Sequence, residues 1–104
     1  MHAIIREATY VTDRPLQETA QFKELQSLHA RQPGYAGTVG IDAGDGRLFT
    51  ITMWQTASHA AAARAVLEPV VRSLLHPLMT VPSQLLGTGP VVVREVAEPA
   101  PPPG

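Results

Sequence analysis

Apolar and polar residues first follow the period of a strand and then that of a helix. Residues 2–11 alternate in the manner of a strand around two charged residues. Thr12 or Asp13 then offers an N-cap oxygen, and Pro15 suits a first helical turn because its missing N–H would have no partner there. We therefore predict a first strand, followed by an amphipathic helix that ends at Gln32.

A hairpin is the clearest local feature of the sequence. Two apolar segments flank Gly44-Asp45-Gly46, and an Asp-Gly turn supplies the positive φ values that tight hairpins need. We predict strands at residues 35–43 and 47–55. The second of these strands carries the only tryptophan, Trp54.

A second helix is predicted after the hairpin. Thr56 can cap it, and its alanine-rich first half has the highest intrinsic helix propensity. Pro69 cannot donate a backbone hydrogen bond, so we expect a kink or a restart after Glu68. A proline also follows His76 and disfavours helical geometry there, which predicts an end at His76 and a loop over residues 78–82. The predicted apolar stripe of this helix comprises Val66, Leu67, Val70, Val71, Leu74, Leu75 and Leu78.

The end of the sequence predicts extended structure and then a tail. Residues 83–96 include a run of three valines, and Gly87-Thr88-Gly89-Pro90 is interpreted as a bend within them. We expect one strand or two short ones here, and thus four or five strands in the sheet. Residues 98–104 are proline-rich and predict an extended or disordered tail, which leaves residues 1–97 as a single domain.

The order of these elements predicts an α+β fold of the ferredoxin-like, split βαβ type, with a four-stranded antiparallel sheet and both helices on one face. In the third strand Phe49, Ile51 and Met53 point one way, whereas Leu48 and Trp54 point the other. Both faces of the sheet are therefore apolar, and two helices cover only one. We predict a homodimer joined sheet to sheet.

Composition narrows the classes of function. The chain has 104 residues, of which 44% are hydrophobic, and a net charge of -1, which suits one globular domain. It has no basic stripe, so nucleic acid is not an expected partner. It lacks cysteine, a histidine pair at i and i+4, and a long apolar segment, so we expect no disulfide, no metal site and no membrane span. The amino end lacks a signal-peptide pattern, and we infer a cytoplasmic protein.

Several features together resemble the dimeric α+β barrel proteins, and among them most closely the antibiotic biosynthesis monooxygenase group. These features are Phe22 in the first helix, Pro33-Gly34-Tyr35 followed by Gly37, the hairpin, Trp54, and the alanine-rich helix after Thr56. The resemblance spans roughly residues 3–96. It implies oxidation of an apolar aromatic, quinol-like or anthrone-like substrate by dioxygen without a cofactor. Such chemistry needs a dry apolar pocket and a base that removes a proton.

The candidate catalytic residues are His29, His76 and Trp54. Histidine suits proton transfer near neutrality, and His29 shares the apolar face of the first helix. His76 lies in the region where haem-degrading relatives place an iron ligand. Trp54 offers a flat wall with an indole N–H. For each of them a structural role is the alternative: a hydrogen-bonded core histidine, a histidine at a helix C-terminus, and a core or interface tryptophan.

The candidate substrate-binding residues are Phe22, Tyr35, Met53 and Arg64. Arg64 either belongs to a solvated ion-pair row with Glu68 and Arg72 or stabilises an oxyanion.

The sequence also departs from the family pattern, because its first strand has no asparagine and its second helix no second tryptophan. Two alternative functions therefore stay open: a noncatalytic small-molecule-binding or regulatory dimer, and a haem-binding or haem-degrading protein that uses His76.

Overall fold

In the computed structural model, which describes residues 1–95, four strands form one antiparallel sheet and two α-helices pack on one of its faces. The elements in chain order are β1 (His2–Thr9), a 3₁₀ turn (Leu16–Glu18), α1 (Ala20–Ala30), β2 (Tyr35–Gly44), β3 (Arg47–Trp54), α2 (Ala57–Leu74), a second 3₁₀ turn (His76–Leu78) and β4 (Gln84–Pro90). The strand order is β2-β3-β1-β4, which confirms the predicted ferredoxin-like α+β fold. The predicted tail and the domain end at residue 97 lie outside the described residues.

The predicted hairpin is confirmed. Gly44, Asp45 and Gly46 have φ values of 78°, 55° and 74°, which is the left-handed region that this turn requires. The Asp42 carboxylate accepts a hydrogen bond from the Gly44 backbone N–H at 2.9 Å and fixes the approach to the turn. Each strand of the hairpin ends within one residue of its predicted boundary.

The predicted start of the first helix is wrong. The N-cap of α1 is Thr19 and not Thr12 or Asp13. The Thr19 Oγ1 accepts a hydrogen bond from the Phe22 N–H at 3.2 Å and donates one to the Leu16 carbonyl at 2.7 Å. Pro15 begins a separate 3₁₀ turn instead of the helix itself. That turn fully buries Leu16 under the sheet, and the need to bury this side chain explains the extra turn before the helix.

The second helix begins where predicted but runs differently afterwards. Thr56 caps it by accepting from the His59 N–H at 3.1 Å, which confirms that prediction. The helix continues through Pro69 without the expected restart, so the packing of its apolar side compensates for the one missing backbone donor. It ends at Leu74 instead of His76, and a 3₁₀ turn at His76–Leu78 precedes most of the segment predicted as a loop, residues 78–82.

The apolar stripe of α2 is as predicted except at Val66: Leu67 and Leu75 are buried, and Val70, Val71, Leu74 and Leu78 pack against the core. Val66 is 57% exposed, whereas Ala60, Ala63 and Leu67 are buried against the sheet. The prediction gave weight to valine and overlooked alanine, although a small side chain is what lets a helix approach a large ring closely.

The predicted bend in the last segment is wrong as well. Residues 87–90 belong to β4, which pairs with β1 as a single strand. The pairing shifts register by a β-bulge in β4 opposite Ile5 and Arg6. The valine run that follows is not a strand, and Val92 and Val93 are exposed. Residues 1–95 thus contain four strands and no fifth. None of the helices in this part of the chain combines the length and the apolar character needed to cross a membrane.

The core lies between the helices and the sheet, in two clusters. One is formed by Leu16, Leu25, Leu48 and Leu75, and the other by Trp54, Ala60, Ala63 and Leu67. Leu48 and Trp54 stand at opposite ends of β3 on the same face, so the even-numbered positions of this strand face the helices. The odd-numbered positions face away from them.

The opposite side of the sheet carries an apolar surface that no element of residues 1–95 covers. Ile51 pairs with Ile5 on one side and with Val39 on the other, and Phe49 pairs with Ile41. We call Ile5, Val39, Ile41, Phe49, Ile51 and Met53 the apolar sheet face. Val39 and Ile41 are 46% and 48% exposed, which confirms that both sides of the sheet are apolar.

We expect Gly34→Ala to lower the free energy of unfolding by about 2–4 kcal/mol, since it combines left-handed strain with overpacking. Gly34 has φ +80°, and an added Cβ would lie 2.2 Å from Cγ of the His59 ring. Urea denaturation measures the loss. Gly44→Ala is the matched control, because its φ is +78° but no atom lies within 4 Å of the added Cβ. Equal losses in the two variants would contradict the His59 contact.

Candidate functional site

A cavity of about 380 Å³ lies between the two helices and the sheet. Its apolar walls include Phe22, Leu25, Trp54 and Leu67, which come from α1, β3 and α2. Its polar and charged lining consists of Arg6, Gln26, His29, Thr50, Thr52, Arg64, Glu68, Arg72, His76 and Ser83. A volume of this size accommodates a small aromatic molecule.

The cavity brings together five of the seven predicted site residues. Phe22, His29, Trp54, Arg64 and His76 all line it, although they come from four different elements. Their convergence supports one site instead of scattered structural roles.

Two predicted substrate-binding residues lie outside the cavity. Met53 is on the apolar sheet face, paired with Ala3 and Gly37, so its assignment to the pocket is wrong. Tyr35 packs its ring edge-on against Trp54, with centroids 5.6 Å apart, and shares a 2.8 Å hydrogen bond with the Thr38 hydroxyl. Tyr35 therefore supports the cavity wall from behind instead of forming it.

Trp54 combines the two roles that the sequence left open. Only 2% of the residue is exposed, and its indole packs with Ala60, Ala63 and Leu67 as part of the core. The same residue lines the cavity, with the His29 ring tilted by 38° at a centroid distance of 6.2 Å. One wall of the cavity is thus formed by a residue of the core.

The hydrogen bonding of His29 leaves one of its ring nitrogens available to accept a proton. Its Nδ1 lies 2.9 Å from the Leu25 carbonyl oxygen, which only accepts, so Nδ1 carries the proton and the neutral ring has its lone pair on Nε2. Burial lowers the pKa of His29 below its ordinary value, the Leu25 hydrogen bond partly opposes this, and the Arg6 charge lowers the pKa further. The lowered pKa favours the neutral form of the ring.

His76 lines the same cavity from the start of the second 3₁₀ turn, where it is exposed. Its proposed catalytic role and the haem-binding alternative both stay predictions.

Arg6 is the functional candidate that the sequence reasoning missed. It pairs with Thr50 across β1 and β3, so it shares the helix-facing side of the sheet with Leu48 and Trp54. Burial lowers the pKa of its guanidinium, the nearby Arg64 lowers it further, and Glu68 opposes both effects. Strand alternation was the available signal, since Arg6 lies two residues from Ile4 and from Ala8 on the same side.

The expected ion-pair row on α2 is formed only in part. Glu68 Oε1 lies 2.7 Å from Arg72 Nη2, and both side chains are at least half exposed. Arg64 forms no ion pair within residues 1–95 and lines the cavity instead.

Comparison with known proteins locates the fold. No protein-family model matches the chain, and no curated protein does. A solved structure of a mutant form of SnoaB, a cofactor-independent oxygenase from Streptomyces nogalater, superposes with a TM-score of 0.72 at 20% identity, over 89% of this chain and 94% of that one. A candidate antibiotic biosynthesis monooxygenase from Nitrosomonas europaea gives 0.65 at 21% identity, over 89% and 100% of the two chains. Another antibiotic biosynthesis monooxygenase gives 0.70 at 13% identity, over 89% and 100%.

At these identities the comparisons establish the fold. The chain shares the α+β fold of these solved structures, and this agrees with the family resemblance seen in its sequence.

The electrostatics of the cavity lead to a pH prediction. We expect NMR titration to give His29 a pKa below 6.5, and Arg6→Gln to raise it, because that variant removes a nearby positive charge. The unfolded chain then binds more protons than the folded one at acid pH, so His29 lowers the free energy of unfolding as the pH falls below its ordinary pKa. Arg14→Gln is the control, since Arg14 is exposed and does not line the cavity. An unchanged His29 titration in Arg6→Gln would contradict the assigned cause.

Proposed function

We propose that this protein oxidises an apolar, quinol-like or anthrone-like aromatic substrate with dioxygen and without a cofactor. The observation that carries the proposal is the His29 ring, held through Nδ1 by the Leu25 carbonyl, in the same cavity as Trp54. The likeness of the fold to SnoaB, a cofactor-independent oxygenase, supports it.

The proposed reaction balances with dioxygen as the only oxidant. His29 Nε2 removes a proton from an activated CH₂ group beside the aromatic ring, and the resulting carbanion transfers electrons to dioxygen. The carbon gains one oxygen atom as a carbonyl group, and the other oxygen atom leaves as water together with the two hydrogens of the CH₂ group. The substrate supplies the electrons, so the protein has to supply the base, the orientation and the stabilisation of charge.

The remaining lining residues divide between orientation and charge. Phe22 and Trp54 provide flat apolar surfaces for an aromatic ring, and Tyr35 holds the indole from behind. In this proposal Arg64, which lines the cavity, stabilises the oxyanion that forms when the proton leaves.

We also propose that the working unit is a homodimer in which a second copy covers the apolar sheet face. Its six apolar residues lie on three adjacent strands and form one continuous surface. A contiguous exposed apolar surface is uncommon on a monomer. Because the same face is presented by each copy, two copies related by a two-fold axis cover both at once.

The base assignment predicts the effect of one substitution. We expect His29→Gln to lower kcat by about 10²-fold or more, because the amide cannot accept the proton. Oxygen uptake and quinone absorbance with anthrone as substrate, in the presence of a chelator and corrected for spontaneous oxidation, measure the loss. His2→Gln is the control, because His2 does not line this cavity. Full activity in His29→Gln would contradict the assignment, and binding of anthrone without oxygen uptake would favour the noncatalytic alternative.

The dimer proposal predicts a change of mass. We expect light scattering to give twice the 11.1 kDa chain mass for the unmodified protein and the chain mass itself for Val39→Glu. The new carboxylate would be buried in the interface but stays solvated in a single copy. Val66→Glu is the matched control, because Val66 is an equally exposed valine on α2, outside the apolar sheet face. A monomeric unmodified protein, or a dimeric Val39→Glu variant, would contradict this interface.

A further inference from the structure

The charges around the cavity do not balance. Arg6, Arg64 and Arg72 contribute three guanidinium groups to its lining, and Glu68 contributes the only carboxylate. The whole chain has a net charge of -1, so this excess of two positive charges is local to the cavity.

The single carboxylate is already engaged. Glu68 Oε1 lies 2.7 Å from Arg72 Nη2, one turn further along α2. Within residues 1–95, Arg6 and Arg64 form no ion pair and donate no side-chain hydrogen bond to protein. Their ten N–H donors are left to solvent or to a ligand.

The two arginines also act on each other. Arg6 is half-buried on β1, Arg64 is exposed on α2, both line the same cavity, and the charge of Arg64 makes the protonated form of Arg6 less favourable. An anion between them would relieve this repulsion and replace lost hydration. Guanidinium groups suit this task, since their planar fork matches the two oxygens of a carboxylate.

We propose that the natural ligand of the cavity is an aromatic carboxylate, with its carboxylate held by Arg6 and Arg64 and its ring against Trp54 and Phe22. This inference rests on the proposed function, because it names the substrate class for the same site. Arg64 then serves both negative charges of the reacting species: the carboxylate, which it holds with Arg6, and the oxyanion formed when His29 removes the proton.

Paired ligands test the proposal on the full-length chain. Isothermal titration calorimetry with 2-naphthoate and with uncharged 2-naphthamide compares the same ring with and without the negative charge. We expect 2-naphthoate to bind about tenfold more tightly, since a charge-assisted hydrogen bond contributes on the order of 1.5–3 kcal/mol. The indole N–H signal of Trp54, the only tryptophan, should shift in the NMR spectrum with either ligand and so locate binding in the cavity.

Substitutions then assign the charge preference to residues. We expect Arg6→Gln and Arg64→Gln each to weaken 2-naphthoate binding about tenfold and to leave 2-naphthamide binding within about twofold. Arg14→Gln, which removes an exposed charge away from the cavity, should change neither affinity.

The outcomes separate this inference from the proposed function. Equal affinities of the unmodified protein for the two ligands would overturn the carboxylate site and leave the aromatic cavity and its oxidation chemistry standing. A tenfold preference that survives in both arginine variants would also overturn it. Failure of either ligand to shift the Trp54 signal would overturn the inference and count against the proposed function as well.

Discussion

The packing of Trp54 against Ala60 and Ala63 is the contact on which the rest of the structure depends. Alanine at two positions one turn apart brings α2 close enough to bury the indole at the end of β3. That contact sets the height of the helix layer above the sheet. Nearer the middle of β3 the same layer meets Thr50 and Thr52, which are smaller than Trp54, and the space left over is the cavity. The large side chain at the end of β3 therefore forms part of the core, and the smaller side chains in its middle leave room for the cavity.

The parts of the fold that sequence predicted are those governed by local rules. The glycine-rich turn, the alternation in β3 and the Thr56 cap each depend on a few neighbouring residues, and the structure confirms them. The errors arose where tertiary packing outweighed local preference. Burial of Leu16 moved the helix start to Thr19, packing carried α2 through Pro69, and pairing with β1 kept residues 87–90 extended.

The sequence predicted those residues of the candidate site whose position follows from the face of the helix or strand on which they lie. His29 and Phe22 came from the apolar side of a helix, and Trp54 from the side of β3 that the helices cover. Met53 was assigned to the same pocket as Trp54, although neighbouring residues of a strand point to opposite faces of the sheet. Arg6 was overlooked because a charged residue in a strand suggests a solvent-facing position. Alternation with Ile4 and Ala8 indicated the opposite, and the register of β1 against β3 shows that Arg6 faces the helices.

Strict alternation in β3 gives one eight-residue strand two independent sets of contacts. Its even-numbered positions face the helices and the cavity, whereas positions 49, 51 and 53 belong to the apolar sheet face. A substitution on one side therefore alters the cavity or the exposed surface without disturbing the other. The same independence allows one fold to accommodate chains that share only about a fifth of their residues, or fewer.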